Sequence, residues 1–327
     1  MLPQQKPKIL VVGSFVMDLI VSTPRFPNAG ETVLGSNFTT APGGKGANQA
    51  VQAARLGADV TMLGKVGEDD FGRQMIQSIM AAGVSAQHVL QTKEVSSAIG
   101  NVQLEVKEHS SQNRIIVVSG ANDRIIPEDI HFLKEEIAQY DMVILQLEIP
   151  MNINELVAQY AYDKSVPVML NPAPSASLKA SLLSYLTYIS PNEHEAADLT
   201  GVTVVDEESA RKAASILQDR GVENVLITRG EAGAVLASNQ RFIVSPCIKS
   251  ENVVDPTAAG DSFVSAFCTA TCLGISPEKA LLFANCAGSI TVSKMGAQPS
   301  LPTLEEVLSL MKNLGHDIKS FNVLRSN

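Results

Sequence analysis

The stretch Asp141-Met142-Val143-Ile144-Leu145-Gln146-Leu147, followed by Asn152–Asp163 and then Val166–Leu170, reads as strand, helix, strand. The outer pieces are short apolar runs, and the middle one carries apolar residues at helical spacing. Two strands joined through such a helix run parallel, and parallel strands are covered by helices on both faces. The pattern recurs outward along the chain. Lys8–Val12, Asp59–Leu63, Tyr185–Ile189 and Asn224–Thr228 read as further buried strands, while Ala47–Leu56, Asp70–Ala82, Pro127–Ala138 and Glu207–Arg220 read as helices. The expectation is an α/β fold, a mostly parallel sheet flanked by helices on both faces.

Two stretches break this rhythm. Ala29–Thr40 and Ser96–Val118 alternate like strands with no helix between, which predicts a small inserted antiparallel β-sheet lid with strands within about 14–42 and 96–119. Gly260 to Leu314 reads as mostly helical. No repeat or long linker interrupts the chain, so its 327 residues are expected to form a single domain, 1–327, carrying that lid.

Composition narrows the function. Lys plus Arg total 25 against 34 for Asp plus Glu, a net charge of −9, and no basic run occurs. Nucleic acid and membrane partners, which call for surplus cations, are not expected. No apolar run reaches the roughly 18 residues of a membrane span. The apolar stretch Ile9–Val12 is too short for a signal-peptide core, so a cytoplasmic setting is expected. Cys247, Cys268, Cys272 and Cys286 form no disulfide framework. Cys268 and Cys272 can share a helix face, but no His or further Cys sits at metal-finger spacing, and small buried side chains are the plainer reading.

Two segments carry chemistry. Pro42-Gly43-Gly44-Lys45-Gly46-Ala47-Asn48-Gln49-Ala50 is not a P-loop, because Thr39 and Gly46 stand where Gly and Ser/Thr are required. It also lacks the third glycine of a dinucleotide fingerprint, and no clear strand feeds it. It offers backbone that a ligand can approach closely, then a helix start, with the Asn48 amide available to hydroxyl groups; the plainer alternative is a tight turn into a helix. In Asp255-Pro256-Thr257-Ala258-Ala259-Gly260-Asp261-Ser262-Phe263, small residues precede a helix and leave its first N–H groups free for an anion. Asp261 is either a bare N-cap or a carboxylate placed to take a proton from an attacking hydroxyl.

Together these segments resemble the ribokinase family of sugar kinases (ribokinase/phosphofructokinase-B). The resemblance extends over nearly the whole chain through Gly13-Ser14 and Asp18, Lys65-Val66-Gly67, Gln146-Leu147-Glu148, Asn171-Pro172-Ala173-Pro174, Pro191-Asn192-Glu193-His194-Glu195, Thr228–Gly233 and Gly296-Ala297-Gln298-Pro299-Ser300. It implies that Asp261 removes the proton from a sugar 5-hydroxyl as it attacks the γ-phosphate of ATP, with Ala258, Ala259 and Gly260 as the anion hole. It implies a pentose site from Val16, Met17, Asp18, Gly44, Lys45, Gly46, Ala47, Asn48 and Glu148. A nucleotide site is implied at Asn192, Thr228, Arg229, Gly230, Glu231, Ala232, Gly233 and Gly260, with Asn285 near adenine. Glu195 corresponds to a residue associated with Mg²⁺ through water. A monovalent cation, usually K⁺, corresponds to Asp255, Thr257, Thr291, Lys294, Gly296 and Ser300, several through carbonyls.

Two departures bear on this. Pro256 stands where many relatives have Thr, removing a hydroxyl and an N–H from the cation loop. Val16 stands where ribose-specific members have Asn, and an apolar residue there discriminates less against 2-deoxyribose. The resemblance thus implies phosphorylation of D-ribose to D-ribose 5-phosphate. Behind it stand 2-deoxy-D-ribose as acceptor, then another sugar or nucleoside, and last a non-catalytic sugar-binding regulator. A homodimer through the lid is expected, because exposed strand edges otherwise pair freely.

Overall fold

Ile9, Leu10, Val11 and Val12 are all fully buried, as a strand apolar on both faces requires. They belong to β1 (Lys8–Val12), which has parallel neighbours on both sides. The computed structural model describes residues 5–107, 110–238, 241–250 and 252–325. Along the chain follow β2 (Val16–Thr23), β3 (Asn37–Gly43), β4 (Asp59–Gly67), β5 (Ser85–Thr92), β6 (Ile99–Lys107) and β7 (Ser110–Val118). Then come β8 (Met142–Gln146), β9 (Val168–Asn171), β10 (Tyr188–Ile189), β11 (Asn224–Thr228), β12 (Ala234–Ser238) and β13 (Arg241–Ser245).

The large sheet runs β13-β12-β11-β10-β9-β8-β1-β4-β5 and is parallel except where β12 and β13 close it as an antiparallel edge. Alternation along each strand divides the core in two. Ile9 and Val11 pack into one layer with helices Lys45–Arg55, Ala259–Cys272 and Pro277–Thr291, whereas Leu10 and Val12 pack into the other with Met151–Asp163 and Glu207–Asp219.

A second sheet has the order β3-β2-β6-β7. Its outer pairs, β2–β3 and β6–β7, are antiparallel as expected; the central pair β2–β6 is parallel. Between those two strands the chain passes through the body by way of β4, a helix and β5, so no hairpin constrains their direction. Residues 29–36 are not strand, and the first lid strands are Val16–Thr23 and Asn37–Gly43. The latter runs directly into the Lys45–Arg55 helix, so a strand does feed the glycine-rich segment.

Other boundaries differ for local reasons. Pro127–Ala138 is broken into Pro127–Ile130, Leu133–Glu136 and a 3-10 turn, although Ile130, Leu133 and Ile137 all still reach the core. Tyr185 closes the Ala180–Ser184 helix, which shortens the strand expected there to Tyr188–Ile189. Among the described residues no helix is long and apolar enough to cross a membrane. All four cysteines are free thiols, with Cys268 and Cys286 buried.

Candidate active site

Two helices begin at the same place. The Lys45–Arg55 helix starts after Gly44, whose φ of 93° and close approach to the backbone of Phe15 and Val16 exclude a side chain. It has no cap of its own. Glu148, just beyond β8, supplies one from across the chain: its Oε2 accepts from the Lys45 N–H at 2.9 Å and from the Ser14 hydroxyl at 2.5 Å. Ser14 Oγ in turn accepts from the Gly46 N–H at 3.2 Å. Carboxylate charge at this end is favoured by the helix dipole.

The Ala259–Cys272 helix starts after Ala258, in the left-handed region at φ 62°, again with no side-chain cap. Its first turn closes with Ser262 N–H donating to Ala258 C=O at 2.9 Å. The N–H groups of Gly260 and Asp261 precede that bond. Ala259 N–H donates to the Pro256 carbonyl at 3.2 Å. Of the three residues expected to form an anion hole, Ala258 and Gly260 line the cavity, and Ala259 tightens the turn behind it.

Asp261 sits between the two helix starts. Asn48 Nδ2 donates to its Oδ2 at 3.0 Å and Gln49 Nε2 donates to its Oδ1 at 2.9 Å. Burial pushes its proton affinity up, against the pull of the Lys45 ammonium and the two amides. The Lys45 ammonium is itself desolvated, but Asp261, Glu148 and Glu195 surround it and hold its pKa above the ordinary lysine value. One cation thus serves three carboxylates.

The cavity between these groups measures about 420 Å³. On one side it is lined by Val16, Asp18, Gly44, Lys45, Asn48 and Glu148, with Ile115 and Val117 of the lid above. β2 alternation explains why Val16 and Asp18 face it while Met17 is fully buried in the core and borders no part of it. Gly46 and Ala47 are likewise buried behind the cavity, Gly46 because the backbone of Gly13 and Ser14 crosses it. Gly100 lies opposite Asp18 on β6, and a Cβ there would overlap Asp18 Oδ1. Burial, then repulsion from Glu148, pushes the Asp18 carboxyl up to about 6. Asn48 lines the same space, and its Oδ1 is buried without a hydrogen-bond partner.

The opposite side is lined by Asn171, Ser190, Asn192, Glu195, Thr228, Pro256 and Thr257. Asn192 caps the Glu193–Thr200 helix: its Oδ1 accepts from Glu195 N–H and its own N–H donates to Glu195 Oε2, both at 2.9 Å. Burial raises the Glu195 carboxyl above its usual range. Arg229, Gly230, Glu231, Ala232 and Gly233 form the turn after β11 and border the outside of the cavity rather than lining it; the Arg229 N–H closes that turn on Gly233 C=O at 2.7 Å. Asn285 is engaged elsewhere, donating to Ser245 Oγ at 2.8 Å and Pro246 C=O at 3.1 Å.

Asp255 ties two loops beside the second helix start. It accepts from Thr257 N–H and from Gly296 N–H, each at 2.9 Å. Burial acts to raise its pKa, and these bonds outweigh it and leave the carboxyl below the usual range. Thr291 and Ser300 are buried with their hydroxyls on Ala287 and Ala297 carbonyls, and the Lys294 ammonium turns away to Glu306. The donors left in these loops are main-chain carbonyls and one carboxylate, a set that suits a hard monovalent cation.

Gln49, Asn171 and Ser190 were not singled out by chemistry in the sequence. Gln49 neighbours Asn48 and Asn171 opens the Asn-Pro-Ala-Pro motif, which is the signal that pointed to them.

Residues 6–304 match the pfkB family carbohydrate kinase, and the chain belongs to that family. It is a carbohydrate kinase. A ribokinase of Haemophilus influenzae is 40% identical over 307 residues, spanning 93% of this chain and 98% of its own. A deoxyribokinase of Salmonella typhimurium is 33% identical over 303 residues, spanning 91% and 96%. The structure of Arabidopsis thaliana ribokinase complexed with ribose and ATP superposes with a TM-score of 0.87 at 33% identity, covering 94% of this chain and 99% of that one.

The Asp18 environment makes a prediction. Its carboxyl binds a proton more tightly in the folded chain, at about 6, than in the unfolded chain, where the ordinary value is 3.8. Below about pH 4 both states are protonated and nothing is lost; stability falls as pH rises toward 6 and stays reduced above it. Asp18→Asn should therefore stabilise the ligand-free protein at pH 7 by about 1–3 kcal/mol in urea unfolding, and by almost nothing at pH 4. The same change should abolish measurable sugar binding.

Proposed function

We propose that this kinase transfers the γ-phosphoryl group of ATP to the 5-hydroxyl of D-ribose, giving D-ribose 5-phosphate and ADP. The observation that carries the reading is the place of Asp261: a buried carboxylate at a helix start, facing a cavity with hydroxyl-binding groups on one side and an anion-binding rim on the other. The relatives of similar length named ribokinase support the choice of sugar.

In this reading Asp18, Asn48 and Glu148 hold the pentose hydroxyls, and Ile115 and Val117 exclude water above them. The 5-hydroxyl oxygen forms its bond to the γ-phosphorus while the bond from that phosphorus to the oxygen of the departing ADP breaks. The hydroxyl proton passes to an Asp261 oxygen. Charge on the transferring group is met by the N–H groups of Gly260 and Asp261 and by the dipole behind them. Asn192 and Thr228 border the phosphate chain, with residues 229–233 and Asn285 toward the nucleotide base.

Glu195 Oε2 is taken by Asn192, which leaves Oε1 to hold water on Mg²⁺. Asp255 by its carboxylate, and Thr257, Thr291, Lys294, Gly296 and Ser300 by main-chain carbonyls, would hold K⁺, Pro256 leaving the neighbouring carbonyls in place. Bound cations supply charge that draws the polyphosphate into an acidic protein. The exposed Phe38, Ile116 and Val118 of the lid favour a homodimer through that sheet.

A second reading, 2-deoxy-D-ribose as acceptor, is favoured by Val16, which meets the cavity beside Asp18 without a hydrogen-bonding group.

Three measurements test these readings. Asp261→Asn should lower kcat at least about 10²- to 10⁴-fold while ATP still binds in calorimetry; near-normal turnover would refute the assigned base. With kcat/KM measured for both pentoses, Val16→Asn should raise the preference for ribose about fivefold or more, since a satisfied buried hydroxyl is worth about 1–3 kcal/mol. An unchanged ratio would remove Val16 from substrate choice. Light scattering at micromolar concentration should give twice the chain mass, and a monomer would exclude the lid dimer.

A further inference from the structure

The motif Gln146-Leu147-Glu148 is only half explained by the site. Glu148 caps a helix and faces the cavity, whereas Gln146 is fully buried and touches no part of it. Its amide nitrogen donates to Gln49 Oε1 at 2.6 Å. Gln49, also fully buried, donates from Nε2 to Asp261 Oδ1 at 2.9 Å and to Asn171 Oδ1 at 3.1 Å. Asn171 is fixed in turn by donating to the Ser190 carbonyl at 3.0 Å. Three buried amides and one carboxylate therefore form a single directed chain that runs from behind the cavity to its wall.

We propose that Gln49 is a positioning residue of this kinase, fixing the direction of the Asp261 carboxylate from its buried side, and that Gln146 fixes Gln49. This rests on Asp261 being the general base. The torsion that turns an Asp carboxylate is soft, so a carboxylate with one partner swings. Asn48 holds one oxygen from the cavity side, where a sugar competes for the same amide. Gln49 holds the other where no ligand reaches. Its orientation has no alternative: turned over, its oxygen would oppose Asp261 and Asn171 Oδ1, and its nitrogen would oppose Gln146 Nε2. The arrangement also leaves Gln146 Oε1 buried without a partner. An apolar side chain of the same volume would fill this space without that cost, so packing alone does not account for two buried glutamines.

The chain also bears on protonation. Burial and Glu148 favour the neutral form of Asp261, while Lys45, Asn48 and Gln49 favour the ionised form that accepts a proton; Glu195 faces the same group across Lys45. Removing Gln49 takes away one support for ionisation.

The test uses Gln49→Met, Gln146→Met and the double variant, each checked for folding by circular dichroism and for ATP binding by calorimetry. Wild-type turnover on ribose and deoxyribose is measured first, and its absence would defeat the activity without touching Gln49. Given wild-type turnover, Gln49→Met should lower kcat about 10- to 100-fold, part of the whole contribution of a general base, with both KM values within about threefold. The acid limb of its kcat/KM profile should move to higher pH. Gln146→Met should move both quantities the same way by less, and the double variant should be no worse than Gln49→Met. An unmoved acid limb with kcat near wild type, or a loss carried by KM alone, in whichever variant folds, would overturn the proposal.

Discussion

Asp261 is bonded to amides 213 and 212 positions away along the chain, and that link holds two helix starts face to face. Each helix lacks a side-chain cap at its own N-cap position, and each has a carboxylate where the dipole is positive. Glu148 arrives from beyond β8 and Asp261 from the first turn of its own helix. The two helices pack in the core layer that also contains Val51, Ala266 and Phe267, so the site and the core depend on the same alignment. The cavity exists because these starts stop short of each other. Backbone that a cap would normally satisfy is left facing a ligand.

Charge balance follows from that geometry. Glu148, Glu195 and Asp261 converge on Lys45, and the excess of negative charge is visible in Asp18, which burial and Glu148 push up to about 6. Such a cluster of carboxylates is unfavourable when empty and is relieved when hydroxyl donors enter it. The net charge of −9 is therefore compatible with a polyphosphate substrate. In the proposed reading anion binding falls to backbone N–H groups and bound cations, which would add no basic side chains to the composition.

Much of the fold was legible because it rests on local periodicity. Lys8–Val12, Asp141–Leu147 and Val166–Leu170 advertise buried parallel strands by being apolar on both faces. β5 and β13 did not, since their sheet-edge positions leave polar and half-buried residues among apolar ones. The direction of β2 against β6 is set by the path of the chain between them, which no local pattern encodes. At the site, Asn48 and Asp261 stood out in small-residue segments at helix starts, Asp18 and Glu148 were implied by the family resemblance, and all four line one cavity. Met17 was carried along by adjacency, and strand alternation sends it to the opposite face. Gln49 and Gln146 stood inside the motifs with no role assigned, because their chemistry is relational: each acts through an amide oriented by a residue about a hundred positions away.

Chemistry and substrate choice occupy different parts of the molecule. The groups proposed to handle the phosphoryl transfer lie at two helix starts that share one core layer, where a shift of backbone would disturb that packing. The side of the cavity proposed for the sugar is lined from β2 and β7, by Val16, Asp18, Ile115 and Val117. A side chain can change on those strands without moving Asp261. The one lid position that cannot readily change is Gly100, because the Asp18 carboxylate occupies the space its Cβ would need. A family built this way can keep its base and anion-binding turn while altering which hydroxyls it accepts. Relatives of nearly equal length can then be named for ribose or for deoxyribose, and Val16 lies on the side of the cavity where that difference would be read.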